Sequence, residues 1–324
     1  MRYPVVLLIG TTLSLSACAV GPEYRAPVTA SLGVPDAYTT RQGAALDDAA
    51  LADWWRSFDD PVLDGLIQQA ISNNLDIAQG VARLDQANEA LRQAGASYVP
   101  SLSASGSGGR NFRQGTSGAI LDSNGNVVGN SSGGGSSNQY SGSLRASWEI
   151  DLFGRIGRTV EASRADLEAS GYSLASVRTS IIAETVRTYI SARLAQERLK
   201  IAREQLATAQ DNFDIARWRV EAGVGSSLDQ EQARAQLAQQ TAAIPQIETG
   251  LANALNRIAV LTGQAPGAAT RALETPAPLP TAPTDIATGI PADTLRQRPD
   301  VRQAERALAA ATAALTSSAL PSAT

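Results

Sequence analysis

The sequence SLRASWEIDLFG at residues 143–154 is the most informative part of this chain for predicting its fold. Polar and apolar side chains alternate along it up to Leu152, and the apolar members are Leu144, Ala146, Trp148, Ile150 and Leu152. After Gly154, residues 155–222 have helical spacing and contain no proline. A strand with one apolar and one polar face that continues into a very long helix is typical of a membrane β-barrel joined to a helical tube. The strand alone also fits an antiparallel hairpin with one wet face.

The N-terminal segment predicts the compartment. Residues 1–17 carry a positive charge near their start, an apolar run at 5–15 that is too short to span a bilayer, and a small-residue cleavage sequence. This pattern predicts a bacterial lipoprotein signal, with the acyl chains on Cys18, the only cysteine of the chain. Ala19 stands where aspartate would favour the inner membrane, so the outer membrane is expected. An ordinary secretory signal with an incidental cysteine is the alternative.

Composition excludes several classes of function. The chain has 324 residues, a net charge of -4 and no block of basic residues, so it lacks the electrostatic footprint of a nucleic-acid-binding protein. Histidine is absent, which excludes Ser/His/Asp and Cys/His triads and zinc sites built on histidine. We therefore expect no enzymatic activity, no metal and no cofactor. No apolar run of about 18 residues follows the signal, so membrane insertion would have to use strands.

Before the alternating stretch, the chain divides into a tether and a helix. Residues 18–59 are polar and contain several prolines, which predicts a lipidated, extended tether. Its aromatic residues are interpreted as a packing anchor: Trp54, Trp55 and Phe58. Asp60 followed by proline is typical of a helix start, and residues 60–97 predict the first tunnel helix. Apolar residues at intervals of seven indicate coiled-coil contacts for this helix: Leu63, Ala70, Ile77, Leu84 and Leu91.

Residues 98–153 predict an outer-membrane β-hairpin. Residues 98–113 are expected to form a weak strand, and the alternating stretch a strong one. Residues 114–138 are rich in Gly, Ser and Asn and predict a long, mobile extracellular loop. The side chains expected to face lipid are Leu144, Ala146, Trp148, Ile150 and Leu152.

The long helix is predicted over residues 154–222, with a length of about 100 Å. Its apolar residues follow one heptad phase up to Ile181 and another from Leu199 onward. The spacing between these two residues is a stutter, which locally unwinds a left-handed supercoil.

A turn and a return helix are predicted over residues 223–263. Ser227 and Gln230 form a possible capping box at the start of that helix, and Pro245 should bend it. Residues 264–292 are rich in proline and predict a linker. The predicted fold class is therefore mainly α with a β-hairpin: long antiparallel coiled-coil helices of an α-barrel plus two strands of a transmembrane β-barrel.

Several motifs carry a family resemblance. They are Trp54-Trp55 with FDDP at 58–61, SWEIDLFGR at 147–155, GVGSSLD at 223–229, and LRQRPDV at 295–301 followed by Ala304-Glu305. In combination they resemble the TolC-like outer membrane factors, and within them the NodT-type lipoproteins of RND efflux systems. The sequence CAVGPEY at 18–24 fits that branch as well.

The resemblance implies a homotrimeric, passive conduit. Its parts would be a twelve-stranded outer-membrane barrel in contact with lipid and an α-helical tunnel through the periplasm. A periplasmic adaptor protein and an inner-membrane RND pump would feed it. The periplasmic tip of the tunnel, where adaptor hairpins dock, would include Gly223, Gly225, Ser226, Ser227 and Asp229. A turn whose glycines only cap one helix and reverse the chain is an equally weighted interpretation.

The chain departs from the family pattern in its number of repeats. Members contain two copies of a strand-strand-helix-helix unit, whereas residues 293–324 correspond only to the start of a second copy, with Asp300 in the place of Asp76. We therefore expect that this chain alone does not form the full trimeric channel. Two other functions remain open: a TolC-like conduit for protein secretion, and a non-transport, outer-membrane-anchored coiled-coil lipoprotein.

Overall fold

The computed structural model describes residues 22–27, 33, 53–113, 118–131, 135–267, 271, 273–281 and 295–319. The predicted signal at 1–17 and Cys18 lie outside these residues. The predicted fold class, long helices with an antiparallel β-hairpin, is confirmed. The helices are α1 (Pro61–Asn73), α2 (Leu75–Ala96), α3 (Arg155–Glu221), α4 (Ser227–Leu261) and α5 (Pro299–Ala319), and a short 3₁₀ helix at Trp54–Phe58 precedes them.

The helix predicted over 60–97 is interrupted at Asn74, so the prediction of one continuous helix was wrong. The backbone of Asn74 is extended, with φ −68° and ψ 130°. Its side-chain oxygen accepts hydrogen bonds from the amides of Asp76 at 2.9 Å and Ile77 at 3.2 Å, which caps α2. Its side-chain amide donates to the Leu261 carbonyl at 3.0 Å, at the end of α4. Asn74 is therefore an internal cap that also joins two helices.

The strands form two antiparallel hairpins. β1 (Ser101–Arg113) pairs with β4 (Gly135–Ser147) along its whole length, from Ser101 opposite Ser147 to Arg113 opposite Gly135. Between them, β2 (Gly118–Leu121) pairs with β3 (Val127–Ser131). Residues 114–138, predicted to be a long, mobile loop, therefore contain β2, β3 and the start of β4. The short hairpin forms because Asn124-Gly125 closes a turn between two short apolar segments. Gly125 has φ +84°, and its amide donates to the Asp122 carbonyl at 3.0 Å.

The strong strand ends earlier than the sequence predicts. The alternation of residues 143–153 predicts a strand to Phe153, but β4 ends at Ser147. The side chains of Glu149 and Asp151 are used instead at the start of α3, as described below. Polar and apolar residues therefore still alternate after the strand has ended, because Glu149 and Asp151 bind groups at the start of α3.

The chain divides into two compact units, one including residues 92–160 and the other including residues 23–91 and 161–313. The core of the second unit joins the 3₁₀ helix, α1, the middle of α3 and the end of α4. Its buried residues are Trp55, Leu63, Leu66, Ile67, Ile182, Val186, Tyr189, Ala192, Ile258, Ala259 and Leu273. The predicted aromatic anchor lies here, since Trp54 and Phe58 pack against this core. Along the described part of the chain, no helix is both long and apolar enough to cross a membrane.

Candidate functional site

The hairpin of β1 and β4 has two chemically different faces. Because side chains alternate along a strand, the odd-numbered residues of both strands share one face and the even-numbered residues share the other. The face formed by the odd-numbered residues is polar and is called the polar face. The face formed by the even-numbered residues is called the apolar face, and it carries Leu102, Ala104, Leu144 and Ala146. The sequence predicted this division for the second strand, and the register extends it to the first.

Paired hydroxyl groups cover the polar face. Serine hydroxyls lie 2.8 Å apart across the strands in the pairs Ser101 with Ser147, Ser105 with Ser143 and Ser107 with Ser141. Cross-strand hydroxyl pairs of this kind satisfy each other and stabilise the register. The alternation of polar and apolar residues over 98–113 is weak because β1 is rich in serine and glycine. Glycine occupies positions on both faces of the strand, so the two faces differ little in hydrophobicity there.

The apolar face is exposed along its length. Leu102 is 69% exposed and Leu144 is 71% exposed. Tyr140 lies directly opposite Gly108, and a ring carbon of Tyr140 is 3.1 Å from the position that a Cβ on Gly108 would occupy. Glycine therefore makes room for the aromatic ring. Towards the far end of β1, the Arg110 guanidinium lies 4.8 Å from the centre of the Phe112 ring.

The predicted lipid-facing residues fall into two groups. Leu144 and Ala146 lie in β4 on the apolar face, with Ala104 and Leu102 as their partners. The other three predicted residues lie beyond the end of the strand and are exposed: Trp148, Ile150 and Leu152.

The segment from Trp148 to Gly157 fixes the start of α3. The Trp148 ring nitrogen donates to the Tyr98 carbonyl at 3.2 Å. Glu149 accepts two hydrogen bonds from Arg155, at 2.5 and 3.2 Å, and these raise the pKa of the Arg155 guanidinium. An Asp151 oxygen accepts from the Gly157 amide at 2.9 Å, which satisfies a free donor of the first helical turn. Gly154 has φ +80°, a conformation that glycine adopts readily.

The turn between α3 and α4 is a Schellman motif, in which a left-handed glycine ends the helix. Gly223 has φ +76°, and its amide donates to the Val220 carbonyl at 3.0 Å. The Val224 amide donates to the Arg219 carbonyl at 2.9 Å, which completes the motif. The predicted tip residues therefore form a tightly determined reversal of the chain.

The return helix begins one residue earlier than the predicted capping box implies. Ser226, not Ser227, is the N-cap, and its hydroxyl accepts from the Leu228 amide at 3.2 Å. Ser227 is the first helical residue, and Asp229 lies in the first turn, where a carboxylate stabilises the helix dipole. Gly225 approaches α3 closely, since a Cβ there would lie 3.0 Å from Arg219.

Sequence reasoning missed two apolar residues of this turn. Val224 is 70% exposed and Leu228 is 63% exposed, and Trp218 and Ile215 are exposed on the neighbouring turns of α3. The signal was present in the sequence, because Val224 and Leu228 are large apolar residues within a Gly/Ser turn. Large exposed apolar residues at such a turn mark it as a candidate interaction surface.

Other predicted sites can be placed only in part. Cys18 lies outside the described residues. Among the residues whose structure is described, no group of three His, Cys, Asp or Glu side chains is arranged to hold a metal ion.

The chain is similar to known proteins over almost all of its length. It is 31% identical over 302 residues to Nodulation protein T of Rhizobium leguminosarum bv. trifolii, covering 93% of this chain and 61% of that protein. It is 31% identical over 319 residues to the probable efflux pump outer membrane protein TtgC of Pseudomonas putida, covering 97% of this chain and 63% of that protein. Its fold is similar to the solved outer-membrane channel OprN, with a TM-score of 0.70 and 33% identity over 92% of this chain and 64% of that one.

The chain spans about three fifths of the length of the curated relatives it matches. The family model described as outer membrane efflux protein matches residues 66–264, which is more than half of the chain. This match confirms the resemblance drawn from the motifs at 147–155 and 223–229. The chain belongs to the outer membrane efflux protein family.

Proposed function

We propose that this chain forms part of the wall of a passive efflux conduit for small molecules, with the β1–β4 hairpin in the outer membrane and the helices in the periplasm. The observation that carries the proposal is the two-faced hairpin, which is followed after residues 148–154 by α3. An exposed face with Leu102, Ala104, Leu144 and Ala146 suits lipid, and the face of paired serine hydroxyls suits a water-filled passage.

The length of the hairpin supports this placement. From Ser136, opposite Phe112, to Ser147 the strand covers about 37 Å, or about 28 Å after a tilt of about 40°. The apolar band of an outer-membrane barrel is about 25 Å tall and is bordered by aromatic residues. Phe112 stands at one end of the apolar face, and Tyr98 and Trp148 lie at the other. Tyr140 lies further inside, four residues along β4 from Ser136, the partner of Phe112.

The position of Arg110 is consistent with the same placement. Its side chain lies on the apolar face, where a charge costs about 2–4 kcal/mol at the bilayer midplane and about 0–1 kcal/mol near an interface. Arg110 is close to the outer end of β1, it stacks on Phe112, and it donates to the Ser136 hydroxyl at 3.1 Å. An interfacial position therefore avoids most of that cost.

The proposed partners are a periplasmic adaptor protein and an inner-membrane RND pump, and the proposed assembly of the conduit is a homotrimer. The tip of Gly223, Gly225, Ser226, Ser227 and Asp229 would contact the adaptor. Val224 and Leu228 would supply the apolar contacts, because both are exposed and the turn that carries them is held by the Schellman motif. The pump supplies the energy, and the conduit needs no cofactor.

The proposed membrane anchor is a lipid on Cys18. More than one acyl chain gives stable anchoring, at about 0.8 kcal/mol per buried methylene. Mass spectrometry of the mature N-terminus tests the modification. We expect Cys18→Ser to abolish it, and an unmodified Cys18 in the wild-type chain would contradict it.

The experiment that tests the conduit is protease protection in outer-membrane vesicles, combined with migration on gels before and after heating. We expect residues 101–113 and 135–147 to resist protease and the folded species to migrate differently from the heated chain. Cleavage within both segments would contradict insertion and favour a non-transport lipoprotein.

The adaptor contact is tested by cross-linking a photoreactive residue at 228 in cells. We expect a product with the adaptor that Val224→Glu abolishes. The matched control is Gln232→Glu, which also adds a negative charge at an exposed position, about one turn beyond residue 228 in α4. Equal cross-linking in both variants would contradict a role of the tip. A product with a secreted protein's exporter instead would favour the protein-secretion conduit.

A further inference from the structure

The polar face of the hairpin carries charge of only one sign. Within β1 and β4, the odd-numbered residues are serine, glycine, asparagine or glutamine except at Arg113 and Arg145. No aspartate or glutamate occurs in either strand. Arg145 lies opposite Ser103, near the base of the hairpin, and Arg113 lies at its far end.

The charge of Arg145 is not cancelled by a neighbouring carboxylate. Among the described residues the Arg145 side chain is exposed and has no ion-pair partner. The acidic residues that follow β4 are engaged elsewhere. Glu149 is paired with Arg155, and Asp151 accepts from the Gly157 amide.

We infer that Arg145 makes this section of the passage favour anionic solutes over cationic ones. The inference rests on the proposed function, because it requires the polar face to line a water-filled passage. To the proposed function it adds a preference for anionic substrates and names Arg145 as the residue that determines this preference. The surrounding serine hydroxyls are neutral: Ser103 donates to the Arg145 carbonyl, and the neighbouring serines are paired across the strands, so they add no charge preference of their own.

The range of the effect follows from screening. At an ionic strength of about 0.1 M the Debye length is about 10 Å, so an exposed charge acts on solutes within that distance. Ser105 is two residues from Ser103, the partner of Arg145, or about 7 Å along the strand. Asn111 is eight residues away, or about 27 Å. Both lie on the polar face. The field of Arg145 therefore reaches Ser105 and is screened at Asn111.

The test measures how fast charged thiol reagents reach single cysteines in the outer membrane of intact cells. Ser105→Cys is treated with an anionic sulfonate and with a cationic trimethylammonium methanethiosulfonate, and the ratio of the two rates is compared with and without Arg145→Gln. Cells with the parent chain give the background. We expect Arg145→Gln to lower the anionic-to-cationic ratio about threefold at about 0.1 M salt. At about 1 M salt, where the Debye length is about 3 Å, the difference should vanish.

Two variants serve as matched controls. Asn111→Cys should keep its ratio when Arg145 is changed, and Arg145→Lys should keep the ratio at Ser105→Cys because it retains the charge. An unchanged ratio at Ser105→Cys in Arg145→Gln would overturn the inference, and so would an equal change at Asn111→Cys.

The same assay separates the inference from the proposed function. If Ser105→Cys reacts with neither reagent, or Leu144→Cys on the apolar face reacts as fast as Ser105→Cys, the polar face does not line a passage bordered by lipid. The proposed function then fails, and the inference with it. If Ser105→Cys reacts and Leu144→Cys does not, the proposed conduit is supported. If the anionic-to-cationic rate ratio at Ser105→Cys is then the same with and without Arg145→Gln, only the inference fails.

Discussion

The Tyr189 hydroxyl donates a hydrogen bond of 2.5 Å to an Asp60 carboxylate oxygen, and this bond joins the middle of α3 to the start of α1. The other Asp60 oxygen accepts from the Val62 and Leu63 amides at 2.9 and 3.2 Å, so Asp60 caps α1 as the sequence predicts. Arg193 donates to the Tyr189 oxygen at 3.1 Å. A network that is buried at Tyr189 and partly buried at Asp60 therefore holds these helices together.

We predict that Tyr189→Phe lowers the free energy of unfolding by about 1.5–3 kcal/mol, the range for a buried hydrogen bond to a charged group. The reason is that Asp60 and Arg193 each lose a partner in a place where Tyr189 is fully buried. Urea unfolding in detergent measures the change. Tyr172→Phe is the control, because its ring keeps the contact with Arg302 at 5.6 Å. Equal losses in the two variants would contradict a special role for Tyr189.

The same tyrosine predicts a dependence on pH. Burial, followed by the hydrogen bond to Asp60, raises the pKa of Tyr189 above its ordinary value of 10.0. The folded state therefore retains this proton longer than the unfolded state. The stability is present in full below about pH 10 and is lost as the pH rises through the folded pKa. We expect the difference in stability between wild type and Tyr189→Phe to shrink above pH 10, and a constant difference to pH 12 would contradict this assignment.

Gly263, which follows the end of α4, should tolerate no side chain. It has φ +66°, and a Cβ would lie 2.6 Å from the Asn73 carbonyl oxygen. We predict that Gly263→Ala destabilises by about 2–4 kcal/mol, because strain and a backbone clash add. Gly267→Ala is the matched control: φ is +86° but the space is open, so strain alone should cost about 1 kcal/mol. Thermal unfolding compares them, and similar melting temperatures would count against the clash.

The tip should be sensitive to a side chain at Gly225, whereas Gly250 within α4 should tolerate one. A Cβ there would meet Arg219 and Val220 at 3.0 Å, whereas a Cβ on Gly250 within α4 would meet nothing within 4 Å. We predict that Gly225→Ala displaces the turn and weakens adaptor cross-linking at 228 at least about threefold, a loss of about 0.7 kcal/mol. Gly250→Ala should stabilise α4 by about 0.5–1 kcal/mol and leave cross-linking unchanged. Weaker cross-linking in Gly250→Ala would show that the readout is not specific to the tip.

Asp151 should control the start of α3. Asp151→Ala removes the acceptor of the Gly157 amide, and loss of such a cap typically costs about 1 kcal/mol. We expect faster hydrogen exchange at the Gly157 amide in Asp151→Ala and near-normal exchange in Asp151→Asn, which keeps an acceptor. Identical protection in wild type and Asp151→Ala would mean that another group satisfies the amide.

The sequence predicted the elements whose signals are local and strong. Asp60-Pro61 predicted a helix start, and Gly154 and Gly223 predicted changes of secondary structure. These predictions succeeded because the backbone preferences of proline and glycine depend little on the rest of the fold. The same local logic placed Leu144 and Ala146 on one face of a strand.

The misses arise where one residue pattern serves two purposes. Ala70 lies before the break at Asn74 and Ile77 lies after it, yet both pack in one cluster with Leu261. The seven-residue spacing of apolar residues therefore continues across the break and does not reveal it. Glu149 and Asp151 alternate with apolar residues as in a strand, but they stabilise the helix that follows. The side-chain partners of these residues are close only in the folded chain, so no local pattern could show them.

The proposed conduit requires the two faces of the β1–β4 hairpin to lie in different environments, one in lipid and one in water. Single spin labels in the membrane-embedded protein distinguish these environments. They are placed on the apolar face at 102, 104, 144 and 146, and on the polar face at 103, 105, 143 and 147. Relaxation by oxygen reports lipid, and relaxation by a water-soluble nickel complex reports water. We predict that oxygen dominates at every even position and nickel at every odd position. Nickel access that is equal at both sets would place the hairpin in water and contradict the conduit.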